Sequence, residues 1–235
     1  MRAVAAVLLA LLLAAPARAY VLPTRALLEL FEAPRGRGST TTRHVEGTLT
    51  LFAPDGDRTS FPAVHDLELN GRCRLEIISG PFEGAHAVYA RGRIVRPEAS
   101  DLADLALLEA LACPLVALRD GAAAAVDRLL RTHGVDLEYT GLSRLNRRPA
   151  YLIGARPWEH DRPQLWLDKE QLQPVKWVAE VDGRLGEVRL LGYSDPATGS
   201  LHPRTLELWL DGRLRLRFVA ERLEQGIEFP KDHFR

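Results

Sequence analysis

Residues 204–218 read RTLELWLDGRLRLRF, and an apolar side chain recurs at every second position on both sides of Asp211-Gly212. Side chains alternate between the two faces of a β-strand, and Asp-Gly is typical of a tight hairpin turn. The segment therefore predicts two antiparallel strands with one apolar and one charged face. The apolar face carries Leu206, Leu208, Leu210, Leu214, Leu216 and Phe218, and the intervening arginines are expected to face water.

The same alternation fills most of the chain. Before residue 100 it occupies 44–52, 65–78 and 84–95, and after Gly134 it occupies 135–156, 163–183 and 187–193. Asn70-Gly71 and Asp182-Gly183 stand where hairpin turns are needed. Strands this closely spaced pair antiparallel, because a parallel return needs a longer crossover.

Two other regions have a helical pattern. Residues 22–33 form an amphipathic segment with Thr24 as a cap, and residues 100–133 are rich in alanine and leucine. The second region predicts two helices, separated at Pro114 or Gly121 and ended by Gly134.

These elements predict one α+β domain over residues 20–235. Its large, curved antiparallel sheet forms an incomplete barrel that is lidded by a few helices. An antiparallel sheet must cover its apolar face, and the chain contains far more strand than helix. We therefore expect a hollow that is lined by apolar side chains.

Residues 1–19, MRAVAAVLLALLLAAPARA, have the pattern of a cleaved secretory signal. The apolar run is short for a membrane span, which argues against the alternative of an uncleaved anchor. The next residue is Tyr20, so no cysteine is present there to receive a lipid. We expect an exported protein that is soluble after cleavage.

The chain has 31 basic and 31 acidic side chains and hence no net charge. This balance argues against nucleic-acid binding, which needs a basic surplus. Two cysteines are present, Cys73 and Cys113. In an oxidising compartment they form one disulfide, or each is a small buried apolar side chain, and the sequence leaves both alternatives open.

No set of residues predicts catalysis. The seven histidines are scattered without the spacing of a metal site, and two isolated cysteines do not make a zinc site. Ser194, Asp195 and His202 lie close in sequence, but no GxSxG elbow accompanies them. We therefore predict neither an enzyme, nor a metal site, nor a cofactor.

The carboxyl half carries a family resemblance. RPAYLI (148–153), QLWLDK (164–169), the following QPV (173–175) and HPR (202–204) resemble the LolA-like superfamily of periplasmic outer-membrane lipoprotein-sorting proteins, which includes LolB and RseB-type domains. The resemblance implies an incomplete barrel whose apolar cavity takes acyl chains. It also implies a periplasmic carrier of lipid or of an acylated lipoprotein, working with a membrane-associated protein as donor or acceptor. The alternative within the superfamily is an RseB-like protein-interaction or sensor module.

The cavity-lining residues follow from strand alternation. Leu165 and Leu167 share one face of their strand and Trp166 takes the other, and we favour the leucines as cavity lining. The same reasoning selects the remaining candidates for the cavity lining. Separately, we expect the protein to be a monomer. The full lining set is Leu49, Leu51, Leu165, Leu167, Val188, Leu190, Leu206, Leu208, Leu214, Leu216 and Phe218.

Overall fold

A computed structural model describes residues 21–31, 41–90, 92–95, 102–117 and 123–235. The predicted export signal lies outside these residues. Three helices are described: α1 (Thr24–Phe31), α2 (Ala103–Val116) and α3 (Ala123–Thr132). Within the described part of the chain, no helix is both long and apolar enough to cross a membrane.

Among the described residues, twelve strands form one antiparallel sheet. They are β1 (Thr42–Phe52), β2 (Arg58–Glu68), β3 (Arg72–Ile77), β4 (His86–Ala90), β5 (Arg93–Val95), β6 (Asp136–Leu145), β7 (Arg148–Gly154), β8 (Gln164–Asp168), β9 (Pro174–Val181), β10 (Arg184–Leu191), β11 (Thr205–Leu210) and β12 (Arg213–Gln225). Their order is β5-β4-β3-β2-β1-β12-β11-β10-β9-β8-β7-β6, so the first and last strands of the chain pair at the centre. With β5 and β6 as its two edges the sheet is not closed, which confirms the predicted incomplete barrel.

The predicted turn residues explain the hairpins. Asp182-Gly183 joins β9 to β10 and Asp211-Gly212 joins β11 to β12, and all four residues have positive φ. A turn with two consecutive positive φ angles matches the twist of the strands that it connects. Asn146-Arg147 makes a third such turn without a glycine, between β6 and β7.

The helices cover one face of the sheet, which we call the inner face. Helix α2 contacts β3, β4 and β5 and also β9 to β12, whereas α1 and α3 pack against each other and against β6. Helix α2 continues through Pro114 to Val116, so of the two predicted positions for the interruption Pro114 is wrong, and the alternative, Gly121, lies outside the described residues. The predicted end of α3 is confirmed, because Gly134 has φ 70° and Val135 N–H donates back to the Leu130 carbonyl.

Candidate functional site

The inner face is lined by apolar side chains from strands that are far apart in sequence. Most of the predicted lining residues belong to one buried cluster that also contains α2. Leu51 is half-buried and packs against the margin of that cluster. The buried members are Leu49, Leu165, Leu167, Val188, Leu190, Leu206, Leu208, Leu216 and Phe218.

Strand alternation places the β8 side chains as predicted. Leu165 and Leu167 belong to the main cluster, whereas Trp166 lies in a separate small cluster with Ala150 and Leu152. The indole N–H of Trp166 donates to Gln164 across 2.7 Å. The leucines and the tryptophan therefore occupy opposite faces of the sheet.

Leu214 departs from the expected pattern because β12 contains a bulge. Leu216 pairs with Leu208 but Leu214 pairs with Trp209, so Arg215 is an extra residue in β12. A bulge of this kind changes the face to which the flanking side chains point. Leu214 is half-buried and lies outside the main cluster, and the prediction that all the arginines of this hairpin face water is wrong for Arg215.

Arg215 holds the beginning of helix α2 against the sheet. Its Nε lies 3.1 Å from the Asp104 carboxylate, which also lies 3.3 Å from Arg184 on β10. The Asp104 side chain is 15% exposed, whereas Arg184 is 53% exposed. Because one partner is shielded from water, this ion-pair cluster fixes the first turn of α2 more firmly than a fully exposed pair would.

A disulfide holds the end of the same helix. Cys113 on α2 is bonded to Cys73 on β3, with the two Cα atoms 5.8 Å apart, and both residues are fully buried. Helix α2 is thus attached at one end by ion pairs and at the other by a covalent bond.

Helix α2 fills the space in front of the sheet. Its buried residues lie on every side of the helix, and Gly186 on β10 allows close contact, since an added Cβ would lie 2.6 Å from Leu111 Cδ1. Surface depressions on the described part of the chain lie elsewhere. Two of about 630 and 600 Å³ flank the segment 226–235, and one of about 190 Å³ lies at the β6–β7 turn, where Leu190 is the one predicted lining residue.

A chain of polar groups crosses the apolar core beside α2. His202 Nδ1 lies 2.7 Å from the Pro203 carbonyl, so this nitrogen carries a proton and donates it. Burial, with His65 nearby, holds the pKa of His202 well below its usual value, so its Nε2 accepts a hydrogen bond. The donor is His65 Nδ1 at 3.1 Å, and His65 Nε2 lies 3.3 Å from a Glu109 carboxylate oxygen.

Sequence reasoning treated these histidines as scattered and did not single out Glu109. The signal was present, because Glu109 is the only charged residue in the segment 105–118. A carboxylate in so apolar a helix needs a buried partner. His65 Nε2 on β2 lies 3.3 Å from the Glu109 carboxylate, and only the assembled sheet brings the two together.

A second set of histidines lies on the outer face. Asp66 follows His65 on β2 and points the other way, and its carboxylate lies 2.6 Å from His44 Nδ1 and 2.7 Å from His233 Nε2. The hydrogen bond to Asp66 raises the pKa of His44. Asp66 therefore holds the segment that contains His233 against strand β2.

No protein-family model matches the sequence, and none of the curated proteins matches it. Solved structures match the chain at low sequence identity. A LolA superfamily protein from Nitrosomonas europaea is 14% identical, with a TM-score of 0.51 over 91% of this chain and 98% of that one. A domain named for outer-membrane lipoprotein sorting, from Vibrio parahaemolyticus, is 11% identical and gives 0.48 over 88% and 94%. MucB is 19% identical and gives 0.33, and this chain spans 62% of it. The first of these likenesses, with a TM-score above 0.5, shows that the fold is LolA-like.

Proposed function

We propose that this protein is exported to the periplasm and binds acylated cargo, a lipid or the acyl chains of a lipoprotein, without catalysing a reaction. The observation that carries the proposal is the inner face of the sheet. Its side chains are apolar from β1 through β12 to β8, and a single apolar helix lies across its middle. The LolA-like fold supports the same conclusion.

Burial of acyl methylenes supplies the binding free energy. Each buried methylene contributes about 0.8 kcal/mol, so a cargo chain of several carbons needs no specific polar contact. In the structure helix α2 occupies this surface, and cargo would have to replace its contacts. We therefore propose that α2 is the lid of the site.

The two attachments of α2 differ in a way that suits a lid. The disulfide at Cys113 is permanent in an oxidising compartment, whereas the ion pairs of Asp104 can break and re-form. The helix would turn about Cys113 while its first turn leaves Arg184 and Arg215. Cargo release would be the return of the helix to the sheet.

Titration with a fluorescent fatty acid tests the proposal. Asp104→Asn removes the ion pairs at the start of α2, and we expect it to bind the probe several-fold more tightly than the wild type. Asp127→Asn is the matched control, because its pair with Arg131 lies on the exposed side of α3. Native mass spectrometry of the purified protein should show co-purified lipid. Absence of both lipid and probe binding in wild type and Asp104→Asn would refute the carrier.

The packed state of the inner face favours a second candidate, an RseB-like interaction or sensor module. Helix α2 already covers the surface that cargo would occupy, so recognition would then use the exterior, where Trp158 is 69% exposed. Crosslinking in cells separates the two functions. A periplasmic or membrane protein captured without lipid, and lost on Trp158→Ala, would indicate the module.

A further inference from the structure

The fold brings four side chains of zinc-ligand type together in the core. His65 and Cys73 lie on the neighbouring strands β2 and β3, and Glu109 and Cys113 lie one turn apart on α2. All four residues are fully buried. The ligand atoms of His65, Cys73 and Glu109 lie within 4.8 Å of one another, and Cys113 is bonded to Cys73.

Three of these ligand atoms lack a hydrogen bond. They are Nε2 of His65 and both carboxylate oxygens of Glu109. The nitrogen and one oxygen are 3.3 Å apart, but the contact does not have hydrogen-bond geometry. Buried polar atoms without a hydrogen bond are rare in folded proteins and costly, so an arrangement that leaves three of them together points to a ligand.

The second nitrogen of His65 is already oriented for metal binding. Nδ1 donates to His202, which leaves Nε2 free of its proton in the neutral ring. Metal-bound histidines are held in this way, with the nitrogen that does not bind metal donating to a fixed acceptor. His202 is in turn fixed by the Pro203 carbonyl.

We propose that Cys73, Cys113, His65 and Glu109 bind one zinc ion when the cysteines are reduced, so that the same place in the core holds either a disulfide or a metal. Two thiolates, an imidazole and a carboxylate form a tetrahedral zinc set. Bond lengths of about 2.0–2.3 Å place such ligand atoms roughly 3.3–3.8 Å apart. The present separations of up to 4.8 Å need a contraction of about 1 Å.

The two states differ by a balanced exchange. Zinc binding displaces one proton from each thiol, and the metal also takes the lone pairs of His65 Nε2 and of the Glu109 carboxylate. Formation of the disulfide instead transfers two electrons and two protons to an oxidised dithiol protein of the compartment, which becomes the dithiol. The newly exported, reduced chain is therefore the form that takes the metal.

Refolding with Co²⁺ as a spectroscopic probe tests the site. The full chain is unfolded with a phosphine reductant, freed of it, and refolded without oxygen in the presence of Co²⁺. We expect one Co²⁺ per chain, with the thiolate charge-transfer band and the strong visible bands of tetrahedral cobalt, and displacement by Zn²⁺. The oxidised protein should bind none.

Two variants test whether the two ligands that are not cysteines, Glu109 and His65, bind the metal. Glu109→Gln keeps the side-chain volume and should weaken Co²⁺ binding by at least tenfold, and His65→Asn should weaken it to a similar extent. The control, His133→Asn, lies outside the site and should bind Co²⁺ like the wild type. Circular dichroism reports whether each chain has refolded. A reduced chain that refolds but binds no Co²⁺, that binds it equally after Glu109→Gln, or that does not refold even with metal, overturns the proposal.

Discussion

His65 and His202 share a hydrogen bond inside the protein, with His65 Nδ1 3.1 Å from His202 Nε2 and both residues fully buried. The bond requires His202 to be neutral, and burial lowers its pKa well below the usual 6.5. The unfolded chain has no such constraint, and its histidines take up protons near pH 6.5. The pair therefore links the stability of the fold to pH.

The sign of that link is fixed by the lowered pKa. Below about pH 6.5 the unfolded chain protonates His202, whereas the folded protein keeps it neutral. We therefore expect the free energy of unfolding to decrease as the pH is lowered, by up to about 1.4 kcal/mol per pH unit. Urea unfolding at pH 8.0 and 5.5 measures the loss. His202→Asn should lower the free energy of unfolding at pH 8.0 but make its decrease between pH 8.0 and 5.5 smaller. Substitution of the exposed His160 by Asn should leave that decrease unchanged. An equal loss in His202→Asn and wild type would contradict this origin.

His44 is expected to have the opposite effect on the pH dependence of stability, because its pKa is raised. The hydrogen bond to Asp66, reinforced by the charges of Asp66 and of Glu46, raises its pKa although partial burial opposes this. Its contribution to stability is present below about pH 6.5 and is lost as the pH rises through the raised pKa.

Asp66→Asn tests that contribution. NMR titration of the ring protons should show the His44 pKa falling in this variant, and by more than in Glu46→Gln, whose charge has a smaller effect. The same change removes the partner of His233, so amide exchange in residues 226–235 should accelerate. Similar His44 pKa values in both variants would show that Asp66 is not the principal cause.

Much of this architecture follows from short-range sequence signals. Asp182-Gly183 and Asp211-Gly212 specify their hairpins because both positions need positive φ, which aspartate and glycine tolerate. Alternation places Leu165 and Trp166 on opposite faces without reference to other strands. Local chemistry was sufficient in these cases.

The features that depend on distant partners were not predictable. The extra residue at Arg215 is defined only by its register against β11, so alternation assigned Leu214 to the wrong face. Pro114 does not end α2, which continues to Val116 with Cys113, Leu115 and Val116 all buried in the core. Glu109 was visible as a lone carboxylate, but its partner His65 is supplied by a strand from another part of the chain.

The Cys73–Cys113 disulfide should account for a large share of stability. The cysteines are 40 residues apart, and cross-linking such a loop restricts the unfolded chain, with an expected contribution of about 2–4 kcal/mol. We expect Cys73→Ala with Cys113→Ala to lower the free energy of unfolding by that amount in metal-free buffer. A reductant present throughout unfolding should lower wild-type stability similarly and leave the double variant unchanged. Equal stability of wild type and double variant would rule out this contribution.

Substitution of two glycines compares the rigid centre of the sheet with the contact between the sheet and the proposed lid. At Gly47 on β1 an added Cβ would overlap the Val219 carbonyl oxygen, and backbone in the middle of the sheet cannot move aside. At Gly186 the added Cβ would meet the flexible end of Leu111 on α2, which can shift. We expect Gly47→Ala to cost about 3 kcal/mol or more and Gly186→Ala about 1 kcal/mol, measured by urea unfolding.

If α2 is a lid, Gly186→Ala should also increase uptake of the fluorescent fatty acid, because the crowding weakens the closed state alone. Reduced uptake in Gly186→Ala, with folding intact, would mean that the packed helix helps to form the binding surface and does not cover it.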